Sequence, residues 1–255
     1  MLRPRVIPSL LIKNKGLVKT TNFKDPKYVG DPINAVRIFN EKEVDEIMIS
    51  DIDATVKNLE PDFNLIKNLA AECRMPLCYS GGIKTAEHAQ KIFALGVEKI
   101  AISSAAVSNP ALITEIANTV GNQSLVIVID AKKNKKTGIF EVFTHNGLKA
   151  TGLSVKEFSL EVQHRGAGEL VINSIDNDGE MKGYNYDLIE VVRDQIYLPL
   201  TILGGAGTLS DIKELINRYR IIGASAGSLF VFKGIFKAVL INYPNRIEKE
   251  KITLD

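Results

Sequence analysis

Leu125-Val126-Ile127-Val128-Ile129-Asp130-Ala131-Lys132 decides the fold. Five apolar residues, mostly β-branched, run straight into an acid. A run that short and that β-rich reads as a strand buried on both faces, as in parallel sheets. The acid then falls at the carboxyl end of the strand, where α/β sheets place their chemistry. A carboxylate there is expensive to bury without a role, so Asp130 is the first candidate functional residue; the bland alternative is a loop cap.

The chain repeats itself around this stretch. Glu46-Ile47-Met48-Ile49-Ser50 returns as Glu169-Leu170-Val171-Ile172-Asn173. Pro76 to Gly82, ending Ser80-Gly81-Gly82, returns as Pro199 to Gly205, ending Leu203-Gly204-Gly205. Both pairs share one offset, since 169 − 46 and 199 − 76 are both 123. Val6 to Lys13 lines up with Leu125 to Lys132 at a slightly smaller offset. A unit of this size is a half-domain, because solenoid repeats have far shorter periods.

With 255 residues, 45% of them hydrophobic, the chain can build one large core of the size of a (β/α)8 barrel. The formal charge of +2 gives no global field for nucleic acid. Lys132, Lys133, Lys135 and Lys136 form a local basic cluster that reads as a solvated loop before it reads as a polyanion site. The only cysteines, Cys73 and Cys78, lack zinc or redox spacing and fit a reducing compartment. No signal peptide and no long apolar span is read, so a cytoplasmic protein without membrane contact is expected.

Eight strands alternate with eight helices along the chain. Arg5 to Ile12 starts the series, and Lys13 to Gly30 reads as a long loop of the binding or lid kind. Asp31-Pro32 and Asn109-Pro110 read as cap-plus-proline helix starts, and Ser154 with Glu157 as a capping box. Helix one is expected to reach about Glu43, and helix two to span Pro61 to Cys73. Thr137 to Asn146 reads as a small hairpin, Ile221 to Ala224 as strand eight, and an apolar last helix follows Gly227-Ser228. The expectation is one α/β domain over 1–255, a (β/α)8 barrel of two half-barrels at about 1–123 and 124–246.

Three constellations follow. Gly81-Gly82 with Ser103-Ser104, and Gly204-Gly205 with Gly227-Ser228, read as two phosphate cradles, because glycine admits backbone N–H groups and a hydroxyl adds a donor. Two cradles on one mouth suggest an elongated ligand with a phosphate at each end. Asp130, Asp176 and Lys19 are the acid and base candidates between them. The slot of Asp130 in the second half holds Leu11 in the first, so a facing carboxylate pair is broken. Arg5, Glu46, Lys99 and Glu169 stand at strand starts, on the bottom face, where surface salt bridges are the plainer reading. His88, His145 and His164 form no cluster; His88 and His164 read as exposed. No metal set is read.

These residues together resemble the HisF family, the cyclase subunit of imidazole glycerol phosphate synthase. The likeness spans Arg5-Val6-Ile7-Pro8, Gly30-Asp31-Pro32, Gly81-Gly82-Ile83, Ile129-Asp130-Ala131-Lys132, Gly166-Ala167-Gly168-Glu169, Asp176 with Asp178-Gly179, and Gly204-Gly205-Ala206-Gly207. The resemblance implies a glutaminase partner docked on the barrel bottom near Arg5, Glu46, Glu98 and Lys99. It implies an ammonia gate of Arg5, Glu46, Lys99 and Glu169. It also implies phosphate contacts at Gly82, Ser104, Gly205 and Ser228, a substrate role for Lys19 and Asp176, a catalytic Asp130, and no cofactor. The chain departs from the family at Leu11, where the family has its other aspartate, and at Ser9, Ser80 and Ser103. The Ser9-Leu10-Leu11-Ile12-Lys13-Asn14 version resembles a branch linked to surface-polysaccharide synthesis, which implies ammonia delivery to an ATP-dependent sugar amidotransferase. The histidine-pathway cyclase and a non-conducting scaffold that activates a glutaminase remain the alternatives.

Overall fold

In the computed structural model, which describes residues 3–253, the run from Leu125 is a strand over Leu125–Lys133. It is β5 of a closed cylinder. The others are β1 (Arg5–Lys13), β2 (Ile47–Asp51), β3 (Leu77–Ser80), β4 (Lys99–Ile102), β6 (Glu169–Ser174), β7 (Leu200–Leu203) and β8 (Gly223–Ala226). Each pairs in parallel with the next, and β8 returns to β1 through Arg5↔Gly223 to Pro8↔Ala226. The chain is a single (β/α)8 barrel. Strand residues alternate between two cores. The larger lies between strands and helices and takes Val6, Ile47, Ile49, Ile127, Ile129 and Ile172. The smaller fills the cylinder with Ile7, Met48, Cys78, Ala101, Val126, Val128 and Val171, against Leu203.

The internal repeat is visible in backbone detail. Thr85 and Thr208 cap equivalent helices with φ −141°, ψ 161° and φ −138°, ψ 161°. Ser103 and Gly227 share an uncommon conformation, φ −125°, ψ −84° and φ −104°, ψ −72°, each before a short helix. Antiparallel excursions leave β1 and β5. Gly16–Thr21 and Lys24–Gly30 follow β1; Phe140–Thr144 and Lys149–Ser154 follow β5.

The segment expected as a structureless loop from Lys13 to Gly30 is therefore a folded excursion. Its turn crosses the mouth: Asn22 N–H donates to the Asp178 carbonyl at 2.9 Å, and Asn22 Nδ2 to that of Asp176 at 2.9 Å. The small hairpin expected over Thr137–Asn146 is instead the middle of the second excursion. Asp31 caps Pro32–Glu41 as expected, accepting from Asn34 N–H at 2.9 Å. That helix stops two residues short of Glu43. Helix two runs over Phe63–Glu72, because Asp62 takes the cap. The Asn109 and Ser154 side chains make no cap bonds. His88 is buried, its Nδ1 accepting from Lys84 N–H at 3.4 Å. The apolar last helix is also absent. Ser228–Val231 is one turn, a hairpin of Phe232–Lys233 and Ala238–Val239 follows, and the final helix Arg246–Thr253 is charged. Between them the chain descends the wall, where the Tyr243 hydroxyl donates to the Val6 carbonyl at 2.9 Å. Among the described residues no helix is long and apolar enough to cross a membrane.

Candidate functional site

The interior has a charged floor, an apolar collar and a polar mouth. At the bottom, inward alternation brings Arg5, Glu46, Lys99 and Glu169 into one ring. Arg5 Nη1 donates to Glu46 at 2.5 Å and Nη2 to Glu169 at 2.7 Å. Lys99 Nζ donates to Glu46 at 3.0 Å and to Glu169 at 2.8 Å. Thr201, which sequence reasoning missed, donates to Glu169 at 2.6 Å. Gly223 leaves room for it, since a Cβ there would stand 2.0 Å from Thr201 Oγ1. Burial opposes ionisation of Glu169, but Arg5 and Lys99 outweigh it and hold the carboxyl below its usual range. The same attraction raises Arg5 and Lys99 against burial. Both glutamates are under 10% exposed, so this is no surface salt bridge. Glu98 lies beside the ring's edge, accepting from Leu77 N–H at 2.8 Å.

The mouth holds two cavities that share Ser9, Leu11 and Leu203. The first, about 170 Å³, is lined by Gly81, Gly82, Ser103, Ser104 and Asp130, with Ser50, Ser80, Asn146 and Asn173 around them. Gly82 is at φ +72°, and a Cβ would stand 2.9 Å from the Glu60–Pro61 backbone. The second, about 30 Å³, is lined by Gly204, Gly205, Gly227, Ser228, Lys19, Asp178 and Gly179. A Cβ on Gly205, at φ +115°, would stand 2.0 Å from the Gly183 carbonyl. The duplicated glycine-plus-serine elements thus lie at opposite ends of one mouth.

Asp130 is enclosed between two donors. Asn173 Nδ2 gives to Oδ1 at 2.8 Å and Ser103 Oγ to Oδ2 at 3.3 Å. Burial pushes its carboxyl up to about 6, the donors oppose this, and nearby Asp178 adds to it. Lys19 is buried on the first excursion and donates to the Ser9 carbonyl. Burial brings its ammonium down to about 8, with Asp178 opposing. Asp178 itself accepts from Thr20 Oγ1 at 2.6 Å and from Phe23 N–H at 3.1 Å. Asp176 lines neither cavity; it is exposed and accepts from Lys133 N–H at 3.0 Å. The inward acid of that pair is Asp178. Its signal in the sequence was the Asp178-Gly179 turn. Leu11 faces both cavities from β1 and presents no proton-transferring group. Among the described residues no three His, Cys, Asp or Glu side chains are grouped to hold a metal.

The histidine biosynthesis protein family matches residues 5–237. The chain belongs to the HisF family. A Vibrio vulnificus protein provisionally named imidazole glycerol phosphate synthase subunit hisF3 is 55% identical over 98% of this chain and 96% of its own. A Leptospira interrogans protein, provisionally named as the HisF subunit of that synthase, is 54% identical over 99% of both. The imidazole glycerol phosphate synthase subunit HisF of Leuconostoc mesenteroides is 37% identical over 91% of both. The chain is thus a HisF-like barrel of the synthase's cyclase-subunit family. It shares more with provisionally named HisF proteins than with the Leuconostoc subunit.

Proposed function

We propose that this HisF-like barrel receives ammonia from a partner glutaminase at its bottom face and delivers it at the mouth for amidination of a sugar in surface-polysaccharide synthesis. The observation that carries this reading is an intact floor ring beneath a mouth in which Leu11 stands opposite Asp130, where the family has its second catalytic carboxylate. The ring of Arg5, Glu46, Lys99 and Glu169 closes the only charged floor read among the described residues, and an apolar collar joins it to Asp130. A small neutral molecule such as ammonia suits that collar; an ion does not. Leu11 removes the second acid or base, and each such group is typically worth about 10² to 10⁴ in rate. Delivery to another enzyme, an ATP-dependent sugar amidotransferase, requires no second carboxylate here. The histidine-pathway cyclase is the second reading, favoured by the two cavities with their glycine-plus-serine linings.

The test is reconstitution with a glutaminase of the HisH type. Co-elution and stimulated glutamine hydrolysis are expected, with no conversion of the histidine-pathway bisphosphate when ammonium salts replace glutamine. No complex at micromolar concentration, together with unchanged glutaminase turnover, would overturn the reading.

A further inference from the structure

The barrel's internal symmetry picks out one residue that no motif marked. Asp130 pairs in register with Asn173 on β6, and Ser103 reaches it from the end of β4. The same register in the other half pairs Leu11 with Ser50. The counterpart of Ser103 is Gly227, which repeats its backbone conformation. An acid, an amide and a hydroxyl gathered around β5 therefore correspond to a leucine, a serine and a glycine around β1. All three differ together.

We infer that Asn173 is the positioning residue for Asp130, and that Asn173, Asp130 and Ser103 act as one unit whose symmetry counterpart around β1 is dismantled. Three observations carry this. Each carboxylate oxygen has its own donor, and the amide makes the shorter bond, 2.8 Å against 3.3 Å. The amide is placed at a cost: Asn173 is buried, and its carbonyl oxygen has no partner among the described residues. A buried acceptor left unpaired is unfavourable, so stability alone does not account for the amide. Turning it over would set that oxygen against the carboxylate, which is worse. With a donor on each oxygen, the Asp130 carboxylate is held in one orientation where it lines the first cavity. The unit explains why a site with Leu11 keeps its other acid in order: it is arranged for a single proton transfer. That use rests on the catalytic role that the resemblance to the HisF family implies for Asp130.

The amide also sets the charge of Asp130, because a donor to a carboxylate favours its ionised form. The other charged groups around it are Asp178 from the loop after β6, and Asp51 and Lys13, which line the same cavity from β2 and β1. None of them donates to Asp130, so the effect of the amide is separable.

The experiment is a carboxyl-carbon NMR titration of the full chain labelled at aspartate, with Asp130→Asn to assign the signal. Asn173→Ala, and Asn173→Ser as a milder second variant, are expected to raise the Asp130 midpoint by about one pH unit. Adding Ser103→Asn to Asn173→Ser returns an amide to the other oxygen and is expected to bring the midpoint back. An unmoved midpoint in folded variants overturns the inference, and so does a rise that the transplanted amide fails to reverse. The readout needs no partner and no turnover, so a failed reconstitution with the glutaminase leaves it intact.

Discussion

Replacing Arg5 by methionine opens the floor ring in a way that can be measured. The ring holds two cations and two anions. Arg5 alone supplies the 2.5 Å bond to Glu46 and the 2.7 Å bond to Glu169. Without it, two glutamates under 10% exposed share one lysine, and a net negative charge is left inside the barrel. Breaking a buried pair on one side costs about 3–5 kcal/mol. The Arg5 side chain is 22% exposed, so the lower end, about 3 kcal/mol, is expected. At about 2–4 °C per kcal/mol for a chain of this length, the melting temperature falls by about 6–12 °C. Arg5→Met with Glu169→Gln makes the ring neutral again, so the double variant is expected to melt above the sum of the two single losses, with about 2 kcal/mol of coupling. The sign with pH also follows. Glu169 has a folded value held below its unfolded one, so its contribution is full above about 4.3 and is lost as pH falls through the folded value. In Arg5→Met that acid limb moves to higher pH. Melts of the four proteins between pH 4 and 8 decide it. Strict additivity, or an Arg5→Met melt within about 2 °C of wild type, would refute the ring as a coupled unit.

Leu11→Asp alone is expected to give no conversion of the histidine-pathway bisphosphate with ammonium, because its register partner is Ser50 and not an amide. Any gain is expected only with Ser50→Asn added, and wild-type turnover of about 1 s⁻¹ or more would return the barrel to the cyclases. Inorganic phosphate is expected to bind beside Gly205 and Ser228 more weakly as pH rises through about 8, where Lys19 loses its proton. Lys19→Met should flatten that dependence, read by phosphorus NMR titration; an unchanged profile would exclude Lys19 from the second cavity's anion binding.

The barrel was legible because β-branched runs such as Val126 to Ile129 have few other uses, and because the repeat fixed the strand count. β8 was placed two residues early. Gly223-Ala224-Ser225-Ala226 carries no β-branched residue, so Ile221 and Ile222 drew the strand toward themselves. The first excursion was hidden for a similar reason: Lys24 to Tyr28 is exposed, so no alternation marks it as a strand. The apolar Leu229 to Phe232 read as a helix, but it is packed on all sides and turns into a hairpin. Within the site, residues that sit directly after strands were found. Asn173 and Thr201 were not, since small polar residues inside strands look like any inward position. Asp176 and Asp178 differ only in which way a single 3₁₀ turn faces, which tertiary contacts decide.

The descent of the chain from Leu240 to Asn245 has a mechanical consequence. Each earlier strand of the cylinder is followed by a helix of eight residues or more, whereas β8 is followed by one turn, a hairpin and this extended cord before the final helix begins. The cord is tied by Tyr243 to Val6, and the helix after it by Lys249 to Asp45 at 2.9 Å. That knot joins the last segment of the chain to the first two strands. The seam between β8 and β1 joins the last strand of the cylinder to the first, so no strand-to-strand connection of the chain crosses it. A cylinder under strain parts at its weakest stave. Here that stave borders Arg5 below and Gly227 above, so a breach would reach the floor ring and the second cavity together.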